Sequence, residues 1–223
     1  MYNPFHTPQE MQALSNLAHL IEGLILIIVA VIAGSQTSGY LNTGWLRYLW
    51  PGLIFIPGIF LLIFLLFHHG LDKIGISWTI MMSDPQQRQH LLMAILLLVA
   101  GLAEILYRVE VNPVELWRII WPIVLVVIGV LFIVHTQHGT SEAVARAVIV
   151  HRFLGVSLAL TGALKIADLL WTKQFPWLAY PWILFLFIVA VLLISYREPE
   201  GAYHGSNGNS EDQTRQSHTS GGH

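Results

Sequence analysis

Apolar residues fill six long runs of this chain, and polar residues are confined to the stretches between them. The runs fall near 16–34, 48–69, 89–108, 117–138, 146–171 and 177–196. Each matches the roughly 20 residues that cross a bilayer core as a helix. Strands are disfavoured, because an open strand edge in lipid leaves its backbone groups unpaired at several kcal/mol each. The pattern therefore predicts an all-α polytopic membrane protein with six transmembrane helices.

The connectors sharpen this outline. Residues 34–44 are rich in Gly, Ser, Thr and Asn and read as a surface turn. Residues 70–88 have room for a short interfacial helix around 74–82, stopped by Asp84-Pro85. Residues 139–146 offer Ser141 as an N-cap with Glu142 following. The first 15 residues carry Pro4, Pro8 and Glu10 rather than a basic stretch, which argues against a cleavable signal peptide. From Arg197 to His223 apolar residues almost disappear, so this segment reads as a flexible tail bearing His204, His218 and His223. The expected division is a six-helix domain over 1–196 and a disordered polar tail over 197–223.

The six runs also repeat. One offset of 71 residues aligns His19 with His90, Arg47 with Arg118, Trp50 with Trp121, Pro51 with Pro122 and Gly58 with Gly129. A third copy is more worn: His151 takes the place of His90, Tyr180-Pro181 that of Trp121-Pro122, and Ser195-Tyr196 closes it where the others close on histidine. Three tandem hairpins result, over about 16–70, 87–139 and 146–196, with approximate threefold pseudosymmetry. Each opening helix carries a stripe with histidine first and small residues after it: His19, Gly23, Ala30, Ala33; then His90, Ala94, Gly101, Glu104; then His151, Gly155, Gly162, Lys165. Offsets of 4, 11 and 14 residues return close to one helix face. Small residues there let membrane helices approach closely.

Because the chain reverses at every crossing, His19, Glu22, His68, His69, His90, His135, His138 and His151 all fall near one membrane boundary. Ionisable residues in membrane segments are costly and usually face the bundle interior. Imidazole is the commonest metal ligand and suits copper and zinc. These eight residues are thus candidate metal ligands, with Glu22 as ligand or orienting carboxylate. The alternative is a b-type haem held by His90 and His151, with Ala94 and Gly155 making room for the porphyrin. Toward the other boundary, Glu104 with Arg108 and Lys165 with Asp168 are spaced to pair within their own helices.

Composition narrows the classes. The chain has 223 residues, 55% hydrophobic and 11% charged, against a soluble norm of about 25% charged. With no cysteine, disulfides and thiolate chemistry are excluded. A net charge of −2 without a basic stripe speaks against nucleic acid. No nucleophile–base–acid set is visible, so no reaction is assigned. In general plan the chain resembles membrane copper-resistance proteins and small di-haem membrane cytochromes. That likeness is architectural: the histidine–tryptophan–glycine signatures of the former and the histidine pairs at both faces of the latter are missing.

The expectation is a protein of a bacterial-type inner or plasma membrane that binds copper first and zinc second, for metal homeostasis or delivery. A haem-binding electron-transfer subunit, with partner proteins in the membrane, and a cofactor-free scaffold are the alternatives. The ten Lys and Arg that flank the spans divide evenly between the two ends, five and five, so the positive-inside rule assigns no orientation.

Overall fold

A computed structural model of the chain describes residues 7–41, 44–45, 48–67, 78–79, 82–109, 115–135 and 140–202. Among these, every regular element is helical. The six long helices are α1 (Pro8–Thr37), α2 (Leu49–Phe67), α3 (Pro85–Val109), α4 (Glu115–Ile133), α5 (Ser141–Trp171) and α6 (Pro181–Ser195), with a 3-10 turn over Pro176–Ala179 before α6. Each packs chiefly on its neighbours in the chain, and α6 returns to α1, so the helices close a ring in sequence order.

Glycine sets the tightest approaches. A Cβ on Gly129 of α4 would stand 2.6 Å from the Gly155 carbonyl oxygen of α5, and one on Gly23 of α1 would stand 2.8 Å from the Ala190 carbonyl oxygen of α6. Both contacts join one expected hairpin to the next. Inside the ring, Val29, Ala30, Ile54, Ala94, Ala100, Leu125, Ile128, Leu154, Leu158, Leu186 and Val189 form one continuous apolar core. Leucines and isoleucines such as Leu24, Ile28, Ile63, Leu102 and Leu184 stand exposed on the outer surface, as lipid contact requires.

Several expectations need correcting. Among the described residues, five helices are long and apolar enough to cross a membrane; the apolar part of the remaining one, Trp117–Ile133, is shorter. At about 1.5 Å per residue it falls a few ångströms below the ~30 Å hydrocarbon core. The run expected to reach residue 138 loses its helix at Ile133, and His135 follows on non-helical backbone. Conversely α1 starts at Pro8 rather than near residue 16. Thr7 accepts from the Glu10 amide and the Glu10 carboxylate accepts from the Thr7 amide, a reciprocal cap that the apolar count ignores. The N-cap of α5 is Thr140, one residue before the expected Ser141.

The polar tail is also not free from its start. Glu198 and Ala202 are buried, the Thr140 amide donates to the Gly201 carbonyl at 3.2 Å, and Gly201 takes φ 87° against Thr140, where a side chain would be strained. The interfacial helix expected around 74–82 lies mostly outside the described residues, as does the tail from residue 203 on.

Candidate histidine site

Three histidines are set by their helices in the same way. His19 on α1, His90 on α3 and His151 on α5 each direct ring Nδ1 at the backbone carbonyl four residues earlier: Ser15 at 2.7 Å, Gln86 at 2.8 Å and Ala147 at 2.7 Å. A carbonyl only accepts, so Nδ1 carries the proton and donates it. In the neutral ring, that leaves the lone pair on Nε2. That leaves the outer nitrogen basic and its direction fixed, as in histidines whose second nitrogen is tied to a backbone carbonyl.

His135, just past the end of α4, joins these rings. Its centroid lies 4.9 Å from that of His90 and 4.9 Å from that of His151. His151 in turn lies 6.4 Å from His19. Tyr196, at the end of α6, completes the set at 4.7 Å from His19 and 5.5 Å from His151. Phe132 packs on the same side, 5.8 Å from His151 and 6.5 Å from His135. Five of the six helices thus bring an aromatic or imidazole ring to one level at one end of the bundle.

Of the eight expected ligands, the structure brings four into this chain of ring contacts: His19, His90, His135 and His151. Glu22 sits one turn further along α1, half-buried and outside that chain. His68, His69 and His138 lie outside the described residues. Among the described residues, no three His, Asp or Glu side chains converge on a point that would hold a metal ion. The room expected for a porphyrin beside His151 is taken by a helix: a Cβ on Gly155 would lie 2.5 Å from the Gly129 carbonyl oxygen and 2.8 Å from Ile133.

Sequence reasoning missed Tyr196 and a carboxylate behind it. Glu198, on the segment after α6, is 7% exposed. Its Oε2 accepts from the Ser15 hydroxyl at 2.8 Å, its amide donates to Asn16 Oδ1 at 2.7 Å, and its carbonyl accepts from Gln12 Nε2 at 2.7 Å. Burial raises the Glu198 carboxyl above the usual carboxylate range, with the Ser15 hydrogen bond opposing the shift. For Tyr196 the signal existed, since Ser195-Tyr196 occupies the register of the closing histidines. For Glu198 there was none, because Glu198 belongs to a segment whose composition reads as tail.

The opposite end carries a different polar layer. Arg108 pairs with Glu104 at 2.7 Å and Lys165 with Asp168 at 2.7 Å, as the spacing predicted. Arg108 also lies 4.7 Å over the Trp50 ring and Lys165 4.6 Å over Trp182. Trp50, Trp121 and Trp182 meet one another at centroid separations of 5.3, 5.7 and 6.4 Å. The Trp50 indole donates to Gln36 Oε1 at 3.1 Å.

Fold and layers together describe an all-helical protein with apolar spans fit for a membrane and imidazoles gathered at one end. No protein-family model, curated protein or solved structure matches the chain.

Proposed function

We propose that this protein binds a transition-metal ion, copper first and zinc second, through the imidazoles at one end of its helical ring, in metal homeostasis or delivery. The observation that carries the reading is the spacing about His135, whose ring stands 4.9 Å from both His90 and His151. A metal–nitrogen bond of ~2.0 Å, with the imidazole centroid about 1.1 Å beyond, puts two tetrahedral ligands about 5 Å apart, centroid to centroid. His90 and His151 keep Nε2 clear of the helix carbonyls that hold Nδ1, and a three-nitrogen set with His135, on non-helical backbone, would require its ring to reorient. His19 stands next in line behind His151. Nitrogen ligands without sulfur suit a borderline divalent ion, and affinity rises from nickel to copper and falls again at zinc.

The scaffold reading that goes with it is three tandem hairpins with approximate threefold symmetry and six membrane crossings, the short α4 included. Support comes from the shared i−4 carbonyl bond of His19, His90 and His151, the ring of helices in chain order and the three touching indoles.

Elemental analysis of the detergent-purified protein after copper and zinc loading, with a visible spectrum, tests the proposal. Near-stoichiometric metal that is lost in H90A and H151A is expected. A metal-free protein with intact helicity overturns the reading in favour of a cofactor-free scaffold, and a Soret band overturns it in favour of haem.

A further inference from the structure

Beyond the imidazoles themselves, the buried end holds one carboxylate that no metal reading uses. Glu198 arrives from the far end of the chain and is fixed to α1 at three points, through Gln12, Ser15 and Asn16. Of these, Ser15 is also the residue four positions before His19. Its carbonyl accepts from His19 Nδ1 at 2.7 Å, and its hydroxyl oxygen lies 3.5 Å from the same nitrogen. The corresponding neighbours of His90 and His151 are Gln86 and Ala147, which meet the rings through their backbone carbonyls. Of the three residues four positions before the rings, Ser15 is the one with a hydroxyl side chain.

A hydroxyl has a single proton. Left to itself, Ser15 is able to donate that proton to Nδ1 and so favour the tautomer with hydrogen on Nε2. That tautomer presents an N–H, not a lone pair, to the rest of the layer. In the structure the proton is committed elsewhere, because Ser15 donates to Glu198 Oε2 at 2.8 Å. The oxygen then faces His19 with lone pairs only, and both neighbours of Nδ1 are acceptors.

We propose that Glu198 is a positioning residue that holds His19 in the Nδ1–H tautomer through Ser15, keeping the Nε2 lone pair available. The inference rests on the reading that these imidazoles act through Nε2, but its test does not require a bound metal. Nitrogen-15 NMR of histidine-labelled, metal-free full-length protein reads the tautomer of His19 directly. Wild type shows the Nδ1–H form. E198A releases the Ser15 hydroxyl, and the Nε2–H form of His19 appears while His90 and His151 keep their signals. E198Q, whose amide oxygen still accepts from Ser15, behaves as wild type. Removing the competing hydroxyl in the S15A/E198A double variant restores the Nδ1–H form. Should E198A fail to fold, E198M, which fills the space without an acceptor, carries the same expectation.

A copper titration separates the two proposals. E198A weakens uptake about 10-fold, the size expected for loss of a group that orients a ligand. An unchanged His19 spectrum in E198A or E198M overturns the positioning role, whatever the metal content. A wild type that takes up no copper overturns the metal reading and leaves the tautomer result standing.

Discussion

A neutral imidazole offers one donor and one acceptor, so the value of each histidine here depends on which nitrogen its helix occupies. His19, His90 and His151 spend Nδ1 on their own helices and differ from His135, which stands past a helix end. His135 touches both His90 and His151; the expected outcome of H135A is loss of stoichiometric copper, while H19A only weakens uptake, as isothermal titration would report. At the other end, E104A removes the 2.7 Å carboxylate contact of Arg108, whose side chain is 22% exposed. The expected cost is about 3 kcal/mol, measured by denaturant titration in detergent, with E104Q costing less. Both ion pairs were legible from i, i+4 and i, i+3 spacing, because that geometry is local. Glu198 was not, because its partners lie about 180 residues away, as the 183-residue separation of Ser15 from Glu198 shows.

At the scale of elements, α4 and α5 meet through Gly129 and Gly155, and G155V pushes the two backbones apart. Overpacking of this kind costs roughly 1–3 kcal/mol, which a lowered midpoint of thermal unfolding would display. The segment after α6 is the pH-sensitive element. Its Glu198 carboxyl is raised by burial, so the docked state binds the proton more tightly than the undocked one. Docking is then strongest at acid pH and weakens as pH climbs from the ordinary carboxylate range through the raised one. The groups around it are Ser15, Asn16 and Gln12 of α1, which stay neutral, and neighbouring Tyr196. Hydrogen exchange at 197–202 should speed up across that interval in wild type and stay flat in E198Q. Helix existence was readable from apolar length alone, whereas the ends were not: caps such as Thr7–Glu10 extend α1, and the missing turn of α4 leaves His135 outside its helix.

For the whole molecule, imidazoles at one end and indoles at the other are separated by about 21 Å of helix, the rise over the 14 residues from His90 to Glu104. Packed Leu, Ile, Val and Ala fill the interval, and three mutually touching indoles close its far end. Copper should accordingly reach the histidines from one face only. Vesicles holding the protein should pass no more copper than empty ones, and a membrane-impermeant histidine reagent should label from a single side. That His19, His90, His135 and His151 lie at one end was legible from chain reversal, and the closing of the helices into a ring was not, because apolar faces alone do not choose their neighbours. The unequal helices have a last consequence. α1 and α5 run to 30 and 31 residues and α4 to 19, or about 45 Å against about 28 Å. A bilayer with a ~30 Å core matches neither length; if α4 crosses it as proposed, the leaflets should thin there at fractions of a kcal/mol per ångström. Reconstituted into bilayers of graded thickness, the protein should then favour the thinner ones.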